Sequence, residues 1–157
     1  MAGKQKLVEL KIGKKAKTAK IKKPEPFRFL EHTADIMIEA NGKDYPSALK
    51  NIALGMFSVL GKSRPKESFD VDEQAANHEE LVVYLLSTIL AECDARELVP
   101  CKSEVLQYDQ SAPRVKMRVW GERKPARDHI KAVTFHELMA VEDDKTRMWT
   151  VRVLFDV

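Results

Sequence analysis

The residues with the clearest capacity for chemistry stand at the two ends of the globular part of the sequence. In the last segment Trp149, Val151, Val153, Phe155 and Val157 recur with a period of two. Strand alternation then turns Thr150, Arg152, Leu154 and Asp156 to the opposite side. Asp156 is thus a carboxylate at a strand end, one residue from the α-carboxylate expected on Val157. Two acidic oxygen donors on adjacent residues suit a hard divalent cation, Ca²⁺ or Mg²⁺, but are too few to hold one. The third candidate is Asp35, the acidic member of Glu31-His32-Thr33-Ala34-Asp35, a polar insertion between two apolar stretches. On the residues alone a plainer alternative stands beside this one, because an aspartate near a chain end is ordinarily just solvated.

Other chemistries lack their usual sets. The four histidines, His32, His78, His129 and His136, have no zinc spacing, and there is no His-Glu-x-x-His. His136 falls on the Ala132/Thr134/Leu138/Ala140 side of its strand, where a structural or surface role is the plain reading. Gly42, Gly55, Gly61 and Gly121 are isolated, so no glycine-rich loop cradles a phosphate. No serine or cysteine has a base partner in a local nucleophile motif. A stand-alone metal-dependent hydrolase would need a denser constellation of acids and histidines. The residues describe a compact binding or accessory domain with a candidate metal corner.

The elements that must position these residues follow from periodicity. Phe27–Leu30 and Ile36–Ala40 read as short strands, and Asn41-Gly42 as a turn. Asp44 caps a helix with Pro46 in its first turn, along which Leu49, Ile52, Ala53, Met56, Phe57 and Leu60 keep helical spacing until Gly61. Ser68–Asp72 reads as a strand with Phe69 and Val71 on one side. Asn77 and Glu80 open a second helix like a capping box. Its stripe of Val82, Leu85, Leu86, Ile89, Leu90 and Cys93 is widened by Leu81 and Tyr84, as in a helix packed on more than one side. After Pro100 the period becomes two, giving strands around Val105 and Val115–Val119. Gly121–Asp128 is a charged loop. Val133, Phe135, Met139 and Val141 share one side of the next strand, and Asp143-Asp144-Lys145 turns into the last. The expected fold class is α+β: a two-layer sandwich, with two helices packed on one face of a largely antiparallel sheet.

At 157 residues the chain fits one domain, preceded by a basic extension over residues 1–26. That extension holds nine lysines against Glu9 and Glu25, a net of +7, so residues 27–157 carry −4 of the overall +3. Lysine-rich, aromatic-free sequence buries too little apolar surface to offset its ordering entropy, and disorder is expected there. Its charge suits contact with RNA or an acidic partner, or it simply keeps the chain in solution. No apolar run approaches a membrane span, and lysines occupy the place of a signal peptide's apolar core. With only Cys93 and Cys101, both read as small buried hydrophobes, no disulfide framework is expected and a cytoplasmic location is.

Four segments together resemble the archease family: Phe29-Leu30-Glu31-His32-Thr33-Ala34-Asp35-Ile36, Trp120-Gly121-Glu122, Lys131-Ala132-Val133-Thr134-Phe135-His136-Glu137-Leu138 and Val153-Leu154-Phe155-Asp156-Val157. The resemblance spans roughly residues 27–157. It implies a non-catalytic partner of an RtcB-type RNA ligase in tRNA splicing and RNA repair, which speeds guanylylation of the ligase and supports repeated turnover. It implies a metal site at Asp35, Asp156 and Val157 and a functional position at Lys131; the candidate partner or nucleotide contacts are Lys131, His32 and His136. The alternative is an RNA-binding or chaperone-like adaptor that works through the basic tail. Two departures touch no implied site: the extension has no counterpart in short family members, and Leu85–Leu90 holds no aromatic residue. Phe135 stands where tyrosine is common, so no hydroxyl is available there.

Overall fold

The structure, a computed structural model, describes residues 7–12, 15–20 and 25–157. Within the extension, β1 (Leu7–Ile12) and β2 (Lys15–Lys20) pair antiparallel as a sheet of their own. Neither strand joins a sheet of the domain, and a two-stranded ribbon alone is marginal in water. The disorder expected of residues 1–26 falls partly on positions 1–6, 13, 14 and 21–24, which lie outside the described residues.

From Phe27 the order is β3 (Phe27–Leu30), β4 (Ile36–Gly42), α1 (Tyr45–Leu60), β5 (Glu67–Gln74), α2 (His78–Arg96), β6 (Leu98–Asp109), β7 (Arg114–Arg123), β8 (Ala132–Glu142) and β9 (Trp149–Asp156). The α+β class is as expected, and every pairing is antiparallel. The single sheet is in fact two: β3-β4-β9-β8 and β5-β7-β6. The charged loop after β7 accounts for the division, because it leaves the second sheet to cap a helix. Arg127 donates its main-chain N–H to the Leu60 carbonyl and its guanidinium to Ser58 O. Those are the orphan acceptors of the end of α1.

Both helices begin where capping chemistry places them. Asp44 Oδ1 accepts the Ser47 N–H at 2.8 Å, and Asn77 Oδ1 accepts the Glu80 N–H at 2.8 Å. Leu49, Ile52, Ala53, Met56 and Phe57 of α1 are buried, as are Leu81, Val82, Val83, Leu85, Leu86 and Ile89 of α2. The second set wraps more than one side of its helix, as the widened stripe requires. Tyr84 does not join it: it is exposed, and its ring meets Phe135 edge-on at 6.3 Å.

One alternation breaks. In β8, Val133 packs on the core as expected, but Phe135 and Val141 are exposed while Leu138 packs inward and Ala140 is buried. Pairing with β9 stops at Thr134↔Leu154 and resumes at Met139↔Arg152, with Glu137 in the gap at φ 54°. An odd number of extra residues exchanges the two faces of a strand. His136 therefore lies in the bulge, not on a continuous face with Ala132 and Ala140.

Candidate functional site

One end of the four-stranded sheet collects the residues singled out from the sequence. The last β4–β9 pair is Ile36↔Phe155, so Asp35 enters β4 where Asp156 leaves β9. On the other side Ala132 pairs with Asp156, and the Lys131 N–H donates to the Asp156 carbonyl at 2.7 Å. Three segments separated by up to 121 positions thus meet: the start of β4, the start of β8 and the end of β9. Adjacent strands lie roughly 4.8 Å apart, which sets the scale of the Asp35–Asp156 neighbourhood. Val157 follows and is exposed. An open concavity of about 580 Å³ adjoins this end, lined by Phe29, Leu30, His32, Asp35 and Met37 among others. Phe29, beside it, is 55% exposed.

The donors at the corner are oxygens. Among the described residues no group of three His, Cys, Asp or Glu side chains is arranged to hold a metal ion. Asp35 and Asp156 therefore offer two side-chain carboxylates, and any further ligand must be main-chain, terminal, solvent or supplied by a partner. Lys131 has its side chain exposed at the rim. His32 and His136 are drawn to another group: Glu137 Oε2 lies 3.1 Å from His32 Nε2 and 3.3 Å from His136 Nε2.

A charged row stiffens the strands that end at the corner. Glu39 on β4 sits between Arg28 on β3 and Arg152 on β9 in register. Arg28 forks onto Oε1 at 3.1 and 2.8 Å, and Arg152 onto Oε2 at 3.1 and 2.7 Å. Glu39 is only 6% exposed. Burial pushes its pKa up, but the hydrogen bonds from Arg152 and Arg28 and their charges outweigh burial and hold it below the usual range. A depressed carboxylate stabilises the fold above its unfolded value of about 4.3 and loses that contribution as pH falls through the lower folded value. Glu39→Gln is expected to cost about 2 kcal/mol at pH 7, since hydrogen bonds to a charged group are lost while both arginines can still reach water. Urea unfolding at pH 7 and pH 3 checks this, and the gap between the two proteins should narrow at the lower pH.

Glu39 and Glu137 are not among the residues that the sequence pattern marks. Period-two patterning puts Glu39 opposite the apolar face, where a carboxylate reads as solvated, and it says nothing of two arginines on neighbouring strands. For Glu137 the available signal was its adjacency to His136.

Comparison with known proteins gives one family. Residues 27–157 match the model of the archease protein family (MTH1598/TM1083). An archease of Sulfurisphaera tokodaii is 30% identical over 122 residues, covering 73% of this chain and 87% of its own length. An archease of Danio rerio is 24% identical over 155 residues, covering 91% and 96%. The solution structure of Methanobacterium thermoautotrophicum protein 1598 shares the fold, with a TM-score of 0.72 at 24% identity over 85% of this chain and all of that one. So does the crystal structure of an archease and possible chaperone from Thermotoga maritima, at 0.62 and 22% identity, covering 87% and 97%.

Proposed function

The chain belongs to the archease family, and from that premise we propose that it is a non-catalytic accessory factor of an RtcB-type RNA ligase. It raises the rate at which the ligase is guanylylated and restores the ligase between rounds of joining, in tRNA splicing and RNA repair. The observation that carries the reading is the meeting of Asp35, Asp156 and Lys131 at one exposed sheet end.

The donor set fits a hard cation, Ca²⁺ or Mg²⁺, because it consists of carboxylate oxygens without thiolate or imidazole. Asp35, Asp156 and Val157 would hold it. When bound, such an ion supplies positive charge that steadies a phosphate during transfer. The chain's own residues do the positioning. Asp156 projects from a strand end fixed by cross-strand pairing, and Asp35 is the loop residue next to the paired Ile36, so a partner meets Asp156 already ordered. Since Ca²⁺ takes 6–8 oxygen ligands, a corner with so few of its own leaves room for water and for groups of the ligase. Lys131, tied by its main chain to Asp156, is free to meet a nucleotide phosphate or an acidic residue with its ammonium group.

Single-turnover guanylylation of a cognate ligase, with and without the full chain, tests the proposal. A faster reaction with the chain is expected, and superimposable progress curves would overturn it. The basic extension supports a second reading, an RNA-binding or chaperone-like adaptor. That reading requires salt-sensitive RNA binding lost on removal of residues 1–26, with guanylylation unaffected.

A further inference from the structure

One side-chain cluster at this end of the domain has no part in the reading above: His32, His136 and Glu137. The β8 bulge shapes it. Thr134 donates its hydroxyl to the Leu154 carbonyl at 3.0 Å and accepts the His136 N–H at 3.3 Å, so one side chain braces the point where pairing with β9 stops. Three residues on, Glu137 takes a left-handed backbone conformation, φ 54°, which disfavours any side chain with a Cβ. The residue is held there against that preference, and its carboxylate bridges both imidazoles through Oε2, at 3.1 and 3.3 Å.

What the bridge joins gives it a consequence. His32 lies in the loop between β3 and β4, whereas Glu137 lies in β8, with β4 and β9 between them in the sheet. Two strand spacings are on the order of 10 Å, so the contact ties a loop across the end of the sheet. That loop runs from Glu31 to Asp35 and has no strand pairing of its own. With a carboxylate as its partner, His32 Nε2 is the donor. Its Nδ1 is buried with no partner among the described residues, so the Glu137 contact is the hydrogen bond that orients this ring. His136 on the same oxygen holds the carboxylate from the other side.

The geometry points to Glu137 as a positioning residue that, through His32, holds the Glu31–Asp35 loop so that Asp35 stays beside Asp156. This rests on the cation reading of the corner. A ligand carboxylate on an untethered loop must be ordered at the moment of binding, and a tether removes that penalty. Outer partners of metal ligands typically change affinity by 10–100-fold.

Three full-length proteins test it: wild type, Glu137→Gly and Glu137→Gln. Glycine accepts φ 54° and keeps the bulge while deleting the carboxylate. Glutamine keeps an oxygen that accepts from His32. In metal-free protein, amide hydrogen exchange over residues 31–35 is expected to rise about tenfold in Glu137→Gly and to stay near wild type in Glu137→Gln, with β9 unchanged. Titration with Tb³⁺, read by luminescence, should give about tenfold weaker binding in Glu137→Gly and recovery in Glu137→Gln. Unchanged loop exchange and Tb³⁺ affinity in Glu137→Gly, or a glutamine variant that behaves like glycine, overturns the positioning role while the corner stands. A wild type that takes up no Tb³⁺, or an Asp35→Ala variant that binds it as well as wild type, overturns the corner itself and this role with it.

Discussion

Asp35→Ala and Asp156→Ala are each expected to return ligase guanylylation to its unaided rate while the domain melts within about 2 °C of wild type. The two halves of this expectation have separate causes. Neither carboxylate makes a side-chain hydrogen bond or ion pair among the described residues, and both lie where substitutions typically move stability by under about 0.5 kcal/mol. Function is another matter, because among the described residues no third acidic or histidine side chain joins Asp35 and Asp156 in a metal-holding group. Affinity for a hard cation follows the number of charged oxygen ligands, and removing one of two should weaken binding on the order of 100-fold. Asp35→Asn and Asp156→Asn sharpen the test, since each keeps shape and removes charge. Stimulation retained in full by both alanine variants would show that the ligase is helped by some other surface.

That corner was only half legible in the sequence. Alternation from Trp149 to Val157 put Asp156 at a strand end and on the correct side, because period-two patterning is a local property of the backbone. The partnership with Asp35 depends on register across 121 positions, which no local pattern encodes. The residues offer Asp35 only as the acid of a polar insertion, the family resemblance implies the pair, and the β4–β9 register brings the two strand ends side by side. Both helix starts and the end of α1 were legible, since Asp44, Asn77 and Gly61 are capping residues whose chemistry acts within a turn of where they stand.

What stayed hidden was non-local or broke a period. The sheet is divided because the loop after β7 leaves to cap α1 through Arg127, a contact between residues 67 or more positions apart. The bulge at Glu137 inverts β8, so Phe135, expected to share a side with core residues, is 56% exposed. Glu39 reads as a surface carboxylate until Arg28 and Arg152 close over it from both neighbouring strands.

Gly121→Ala is expected to do the reverse of Asp35→Ala: a large loss of stability with function per folded molecule retained. A Cβ at this position would lie 2.3 Å from the Val99 carbonyl oxygen, 2.4 Å from Leu98 Cδ2 and 2.9 Å from Pro100 Cα. Two of those three atoms are backbone and cannot swing aside. Gly121 opposes Pro100 just where the β6–β7 register shifts, and on its other edge its carbonyl accepts the Lys66 N–H. The central strand therefore has no direction in which to yield. Overpacking of this kind costs about 3 kcal/mol or more, or a fall in melting temperature on the order of 10 °C. The neighbours in Trp120-Gly121-Glu122 are engaged in the same sheet. Trp120 lies under the Lys102 ammonium at 4.5 Å, and Glu122 accepts the Arg64 N–H and pairs with Lys66. A motif shared with a family whose proposed role lies at the opposite sheet is thus accounted for by packing. Below its transition, folded Gly121→Ala should stimulate the ligase as well as wild type does. A normal melting temperature would mean that β6 can move away from β7 at little cost, and a folded but inactive variant would bring the three-stranded sheet into contact with the ligase.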